Sequence, residues 1–287
     1  MKKAIMFSGQ GAQITGMGRE VYERSEAARE IFDIAGEDIK KLCFEGPDEE
    51  LGKTINTQPC LFTVTMAEYA AYIHEENEDI SAVCGFSLGE YSAMCAAGVF
   101  DFATGLELVQ KRAKFMEDAT TKTSGGMTAV LGVDKFQIRD IIVETRSRAE
   151  QAEGILEAVN YNCAGQIVVA GEKPLLENLA EVCAEKGVKA RALTVSGAFH
   201  SSLMQEVIGK LEAEFEKIDF KAPQIPIVSN VTGRYYEVDN MKEVLAKQVA
   251  SAVLWEDSIK FLKEMGIEEF KEVGVGKTLE GFLRRIG

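Results

Sequence analysis

Only two histidines occur among the 287 residues, with a single tryptophan and five prolines. That scarcity sharpens any search for a general base, because a histidine-dependent reaction has just His74 or His200 to draw on. Basic residues are outnumbered, 32 Lys and Arg against 46 Asp and Glu, giving a formal net charge of -14. So acidic a chain offers no basic field for phosphate backbones, which argues against broad nucleic-acid binding. No window is apolar for long enough to span a bilayer, and the run behind Lys2 and Lys3, Ala4 to Phe7, is too short for a signal peptide. The six cysteines form no C-x-x-C pair and read as reduced, mostly buried thiols, so the expected location is the cytoplasm.

What is present is a globular composition without repeats or biased tracts, 46% hydrophobic and 27% charged, in a chain longer than most single domains. One large core with a smaller unit is expected. "KKAIMFS" and "ISAVCGF" read as buried strands, with helical patterns around 18 to 43 and 58 to 76 between them. This strand-helix-strand alternation predicts an α/β fold with a parallel sheet. After Gly125-Gly126 the rhythm changes. "MTAVLGV", "DKFQIRDIIVETRSRAEQ", "ILEAVNYN", "QIVVAG", "EKPLLENLAEVCAEKG" and "KARALTV" run β-α-β-β-α-β, the order of a ferredoxin-like unit. An inserted ferredoxin-like small domain at 125–197 is therefore expected, dividing a large domain into 1–124 and 198–287. In the second part, "IPIVSN" and "EEFKEVG" read as strands, and helices are expected around 201 to 217 and 257 to 265.

Gly85-Phe86-Ser87-Leu88-Gly89 is a G-x-S-x-G pattern, common enough by chance to be weak alone. Its context strengthens it: an apolar strand enters and a helix-prone segment, "LGEYSAMCAAG", leaves, as in the strand-to-helix turn that exposes a nucleophilic serine. The hydroxyl needs a base. His74, in "AAYIHEENED", reads as a solvated surface residue. His200, in "VSGAFHSSLM", stands at the domain junction before a helix that Ser201 or Ser202 would cap, and is the candidate base.

Two glycine motifs are rejected as phosphate cradles. After Gly9-Gln10-Gly11 the third fingerprint glycine falls at Ile14, and before Gly276-Lys277-Thr278 the leading P-loop glycine falls at Lys271. The Gly9–Gln13 turn fits instead as a donor of one backbone N–H to an oxyanion, opposite the N–H of Leu88. On the helical pattern 102 to 119, Arg112 shares a stripe with Leu108 and Phe115, so its guanidinium faces inward and needs an anionic partner. A buried Asp or Glu, a snorkelling side chain and a substrate carboxylate all remain open.

Taken in order, Gly9-Gln10-Gly11-Ala12-Gln13, Gly85-Phe86-Ser87-Leu88-Gly89-Glu90, "QKRAKFM", "NYNCAGQIVVAG", "VSGAFHSSLM", "SNVTG", "QVASAVLW" and "EVGVGKTLEGFLRRI" resemble the malonyl-CoA:acyl carrier protein transacylase family from end to end. The resemblance implies an α/β-hydrolase-like large domain, no cofactor, and transfer of malonyl from the coenzyme A thioester to an acyl carrier protein, with no nucleic-acid or membrane partner. It implies Ser87 as nucleophile, His200 as base, and the Gln248 carbonyl as the support of the histidine ring. The amides of Gln10 and Leu88 would form the oxyanion hole, and Arg112 would clamp the malonyl carboxylate. Phe199 resembles the bulky residue associated with malonyl rather than branched acyl groups. Phe86 stands where a histidine is usual, altering the wall beside the nucleophile. Fatty acid biosynthesis is the pathway implied; a trans-acting acyltransferase of a polyketide line and a serine acyl-thioester hydrolase share the same residues. Lys189 and Arg191 are candidate contacts for an acidic carrier.

Overall fold

A computed structural model describes residues 1–76, 79–148 and 154–287 and contains two separate sheets. The first is parallel, ordered β7-β2-β1-β8, from β1 (Lys3–Phe7), β2 (Ile80–Gly85), β7 (Ile227–Val228) and β8 (Glu269–Val273). All of β1 is buried, as expected for a strand covered on both faces. Its alternation sorts the two sides. Ile5 and Phe7 join the core that includes Phe62 and Leu108, while Ala4 and Met6 pack with Trp255, Ile259 and Leu262.

Four helices, α1 (Arg19–Arg24), α2 (Glu26–Ala35), α3 (Glu37–Glu45) and α4 (Asp48–Leu51), lead into the long α5 (Thr54–Glu76). The continuous pattern expected over 18 to 43 is thus three helices, interrupted where the Ser25 side chain caps α2 and where Gly36 adopts a φ of 91°. After β2 come α6 (Gly89–Ala96) and α7 (Phe102–Thr120), the latter started by Asp101, whose carboxylate accepts from the Thr104 amide at 2.8 Å. No described helix is long and apolar enough to cross a membrane.

The second sheet is antiparallel, ordered β4-β5-β3-β6, from β3 (Gly125–Leu131), β4 (Leu156–Cys163), β5 (Gln166–Glu172) and β6 (Lys189–Ala192). Val130, Ile167 and Val169 point to one face and pack with residues of α8 (Lys135–Arg148) and α9 (Lys173–Glu185). The end of the expected helix here, residues 149–151, lies outside the described residues. Met127, Ala129 and Val168 point the other way, toward the large core. Strand β6 is shorter than "KARALTV" suggested: Leu193 still donates to Met127 O, but residues 193–195 leave the ladder to line a cavity.

The chain then forms α10 (Gln205–Phe215), opened by a short turn that Ser201 caps, followed by α11 (Met241–Lys247), α12 (Trp255–Glu264) and α13 (Thr278–Leu283). Neither α11 nor α13 was expected from the sequence. Each is under two turns long, too short for apolar periodicity to register.

Candidate active site

Strands β1 and β2 are adjacent and parallel, so the loops after both leave from one edge of the sheet. Between β2 and α6 the chain turns sharply at Ser87, whose φ is 52°. A left-handed conformation at a residue with a Cβ costs about 1–2 kcal/mol, so the surroundings must hold it. The flanking glycines make the crossing possible: a Cβ on Gly85 would lie 2.0 Å from Gly89 O, and one on Gly89 would lie 2.2 Å from Phe7 O. Asn230 then locks the turn. Its Oδ1 accepts from Ser87 N at 2.7 Å and its Nδ2 donates to Gly85 O at 2.6 Å.

His200 is the second described non-glycine residue at positive φ, 63°, and its own N–H donates to Val249 O at 3.0 Å. Its Nε2 lies 2.7 Å from Ser87 Oγ, and its Nδ1 lies 2.9 Å from the main-chain carbonyl of Gln248. A carbonyl only accepts, so Nδ1 carries the proton and Nε2 presents its lone pair to the serine hydroxyl. Burial, with the Arg112 charge acting in the same sense, pushes the imidazole pKa down to about 4. The ring is therefore neutral at neutral pH, the state a candidate base requires. His74 is exposed at the end of α5.

Arg112 is 1% exposed, yet no carboxylate touches it among the described residues. Instead NH1 donates to Gln58 Oε1 at 2.7 Å, and NH2 donates to Gln248 Oε1 at 3.0 Å and Ser87 Oγ at 3.2 Å. Among the described residues its Nε has no hydrogen-bond partner, and the guanidinium sits 5.4 Å from the centre of the Tyr91 ring. Burial lowers its pKa. Two neutral amide oxygens orient the fork without neutralising it, which leaves a full positive charge beside the serine.

These groups open on a cavity of about 470 Å³. Its walls come from the Gly9–Gln13 loop, Phe86, Phe199 and, from the second sheet, Met127, Ala129, Asn160 and Val168. Phe86 is held edge-on to Trp255 at 5.6 Å and tilted against Phe282 at 6.2 Å. Gln10 is in the wall; Leu88 is not, being 1% exposed with its side chain packed in the core. Among the described residues, neither the Gln10 nor the Leu88 backbone N–H has a protein acceptor. Lys189 and Arg191 are exposed on β6 and form no salt bridge among the described residues. Sequence reasoning missed Gln58 and Asn230 as site residues, as well as the side chain of Gln248. "SNVTG" and "QVASAVLW" contained the latter two, but no spacing ties either to Ser87, 143 and 161 positions away.

Residues 5–275 match the family model described as acyl transferase domain. The malonyl CoA-acyl carrier protein transacylase of Salmonella typhimurium is 38% identical over 291 residues, covering 99% of this chain and 92% of that protein. The polyketide biosynthesis protein ThaF of Burkholderia thailandensis is 39% identical over 99% of this chain, which spans 24% of ThaF. Among solved structures, the malonyl-transacylase PlMCAT in complex with AntF, a type II PKS acyl-carrier protein, superposes with a TM-score of 0.93 at 34% identity, covering 100% of this chain and 93% of that one.

Proposed function

The chain belongs to the malonyl CoA-acyl carrier protein transacylase family of acyl transferases, and from that premise we propose that it transfers malonyl from malonyl-CoA to the phosphopantetheine thiol of an acyl carrier protein. The observation that carries this reading is the placement of Ser87 Oγ 2.7 Å from a neutral His200 and 3.2 Å from a guanidinium that no carboxylate touches among the described residues. A plain acyl hydrolase has no use for that buried, unneutralised charge. A substrate bearing a carboxylate does.

Ser87 Oγ attacks the thioester carbonyl while His200 Nε2 takes its proton, forming a C–O bond and an oxyanion. The amides of Gln10 and Leu88 are the proposed donors to that oxyanion, a role supported by their unpaired state. Collapse breaks the C–S bond, and His200 returns the proton to the departing coenzyme A sulfur. The carrier thiol then repeats the sequence in reverse, giving its proton to His200 and releasing Ser87. Nucleophile, base and donors are all protein groups, so no cofactor enters the proposal. Arg112 holds the malonyl carboxylate throughout, and Phe86 and Phe199 shape the acyl pocket.

The strand order of the antiparallel sheet, with two helices on one face, supports the ferredoxin-like reading of 125–197, and the serine turn at the edge of the parallel sheet supports the hydrolase-like reading of 1–124 and 198–287. A cytoplasmic location fits substrates of this kind. Supply of fatty acid biosynthesis is the role proposed, with service to a polyketide line as the alternative that ThaF and PlMCAT keep in view. An intact-protein mass spectrum after brief mixing with malonyl-CoA tests the reaction. A malonyl adduct on wild type but not on Ser87→Ala, discharged by an acyl carrier protein, is expected; decay to free malonate regardless of carrier would make the protein a hydrolase.

A further inference from the structure

Directly behind the serine turn lies a carboxylate that does not line the cavity. Glu90, in the first turn of α6, is fully buried. Three donors converge on it: Asn230 N at 3.0 Å and Tyr236 Oη at 2.7 Å on Oε1, and Gln248 Nε2 on Oε2. A group that receives only donors is suited to the ionised form, which accepts and cannot donate.

Gln248 connects this carboxylate to the site. Its Nε2 also donates to the main-chain carbonyl of Ser87 at 2.8 Å, an atom that can only accept, so the orientation of the amide is fixed independently of Glu90. With Nε2 held on that side, Oε1 faces Arg112 NH2 at 3.0 Å. Reversing the amide would set its NH₂ against the guanidinium, donor against donor, and its oxygen against Ser87 O.

We propose that Glu90 is a positioning residue whose carboxylate, acting through the side-chain amide of Gln248, aims Arg112 at the carboxylate of the incoming acyl group. The inference rests on the transacylase reading. Glu90 acts on Arg112 at one remove: the amide between them orients the guanidinium, and the carboxylate leaves the fork open to substrate. Were Glu90 in direct contact with Arg112, the pair would be closed and the substrate carboxylate would have to displace it.

The isosteric variant Glu90→Gln keeps the volume but presents an NH₂ group where one of the three donors now points. If its oxygen stays with Asn230 N and Tyr236, its NH₂ meets Gln248 Nε2 and drives the relay out of register. Single-turnover acylation of Ser87 by malonyl-CoA and by acetyl-CoA should be compared in wild type, Glu90→Gln and Gln248→Met. Gln248→Met cuts the relay while leaving the main-chain carbonyl that supports His200. In both variants malonyl transfer to Ser87 should fall on the order of 10- to 100-fold, the scale of a lost hydrogen bond to a charged group, with a much smaller change for acetyl-CoA. Equal loss toward both substrates, or no loss, would overturn the proposal, and a Gln248→Met enzyme without a selective malonyl loss overturns it even if Glu90→Gln fails to fold. A wild type that accepts neither acyl group would overturn the transacylase reading and the relay with it. A wild type that takes malonyl beside variants that lose both substrates alike overturns the relay alone.

Discussion

The imidazole of His200 is supported by the main-chain carbonyl of Gln248, 2.9 Å from Nδ1, and not by a carboxylate. A neutral acceptor fixes the tautomer but adds no charge to stabilise an imidazolium. Burial and Arg112 therefore dominate, and they hold the pKa near 4. Acylation by acetyl-CoA, which makes no demand on Arg112, should stay flat from about pH 8 down to about pH 5 rather than fall through the ordinary histidine value of about 6.5. Rapid-quench rates across that range check it. The stability linkage has the matching sign: because the folded-state pKa is depressed, the contribution of His200 is present above about 6.5 and is lost as pH falls toward 4.

Replacing Arg112 with alanine acts on two quantities at once. The variant should lose malonyl preference while retaining reactivity toward acetyl-CoA, because the lost interaction is with a carboxylate that acetyl does not have. It should also raise the acid limb of the acetyl rate above pH 4, since the guanidinium is one of the causes that lower the His200 pKa. Equal loss toward both substrates would remove Arg112 from the role of clamp, and an unmoved acid limb would show that its charge is not felt at the imidazole.

Much of this arrangement is legible in the sequence, for reasons that differ by residue. Ser87 was found because a strand, two close-packed glycines and a helix make a local pattern. His200 was found because only two histidines exist and one of them ends a polar helix segment. Arg112 was found from its helical stripe, but its partners were not: a buried carboxylate was one open possibility, and the structure supplies the amides of Gln58 and Gln248. Gln58, Asn230 and the Gln248 side chain reach the site through contacts between distant segments, and Glu90 does its work through other residues. Local periodicity carries no record of such contacts. The strand at "KARALTV" was overextended because Leu193 and Val195, apolar at alternate positions, satisfy the strand pattern while lining the cavity.

Asn230 should be worth more to stability than its place in a loop suggests. Alanine there would leave Ser87 N and Gly85 O without their side-chain partners, and it would release a residue held at a φ of 52°. Each polar group left unsatisfied in a buried setting costs about 1–3 kcal/mol, so a loss on the order of 2–4 kcal/mol is expected. Urea unfolding gives the value, and mass spectrometry should show the malonyl ester forming more slowly as the turn relaxes. A fully stable variant with normal acylation would mean that the glycine crossing alone holds the serine.

If Glu90 aims Arg112 as proposed, malonyl transfer has a pH dependence that acetyl transfer does not. Burial pushes the Glu90 pKa up to about 7, against the hydrogen bonds from Tyr236, Gln248 and Asn230 and the attraction of Arg112. The titratable groups facing it are Arg112 from α7, Cys84 from β2, Tyr236 from the segment after β7, and Tyr91 on its own helix. Burial raises the Cys84, Tyr236 and Tyr91 pKa values, so these three stay neutral near pH 7, and Arg112 is the only charge among them. Protonation of Glu90 places a hydrogen against the Gln248 amide or deprives a donor of its acceptor, so the malonyl rate should fall as pH drops through about 7 while the acetyl rate holds. That limb should vanish in Glu90→Gln, which cannot titrate. Stability runs the other way. A carboxyl whose folded-state pKa is raised contributes stability that is present below its ordinary value of about 4.5 and lost as pH rises through 7. The ionised state that serves malonyl transfer is thus the one the fold disfavours, and parallel rate and urea-unfolding profiles on the same samples should move in opposite directions across neutrality.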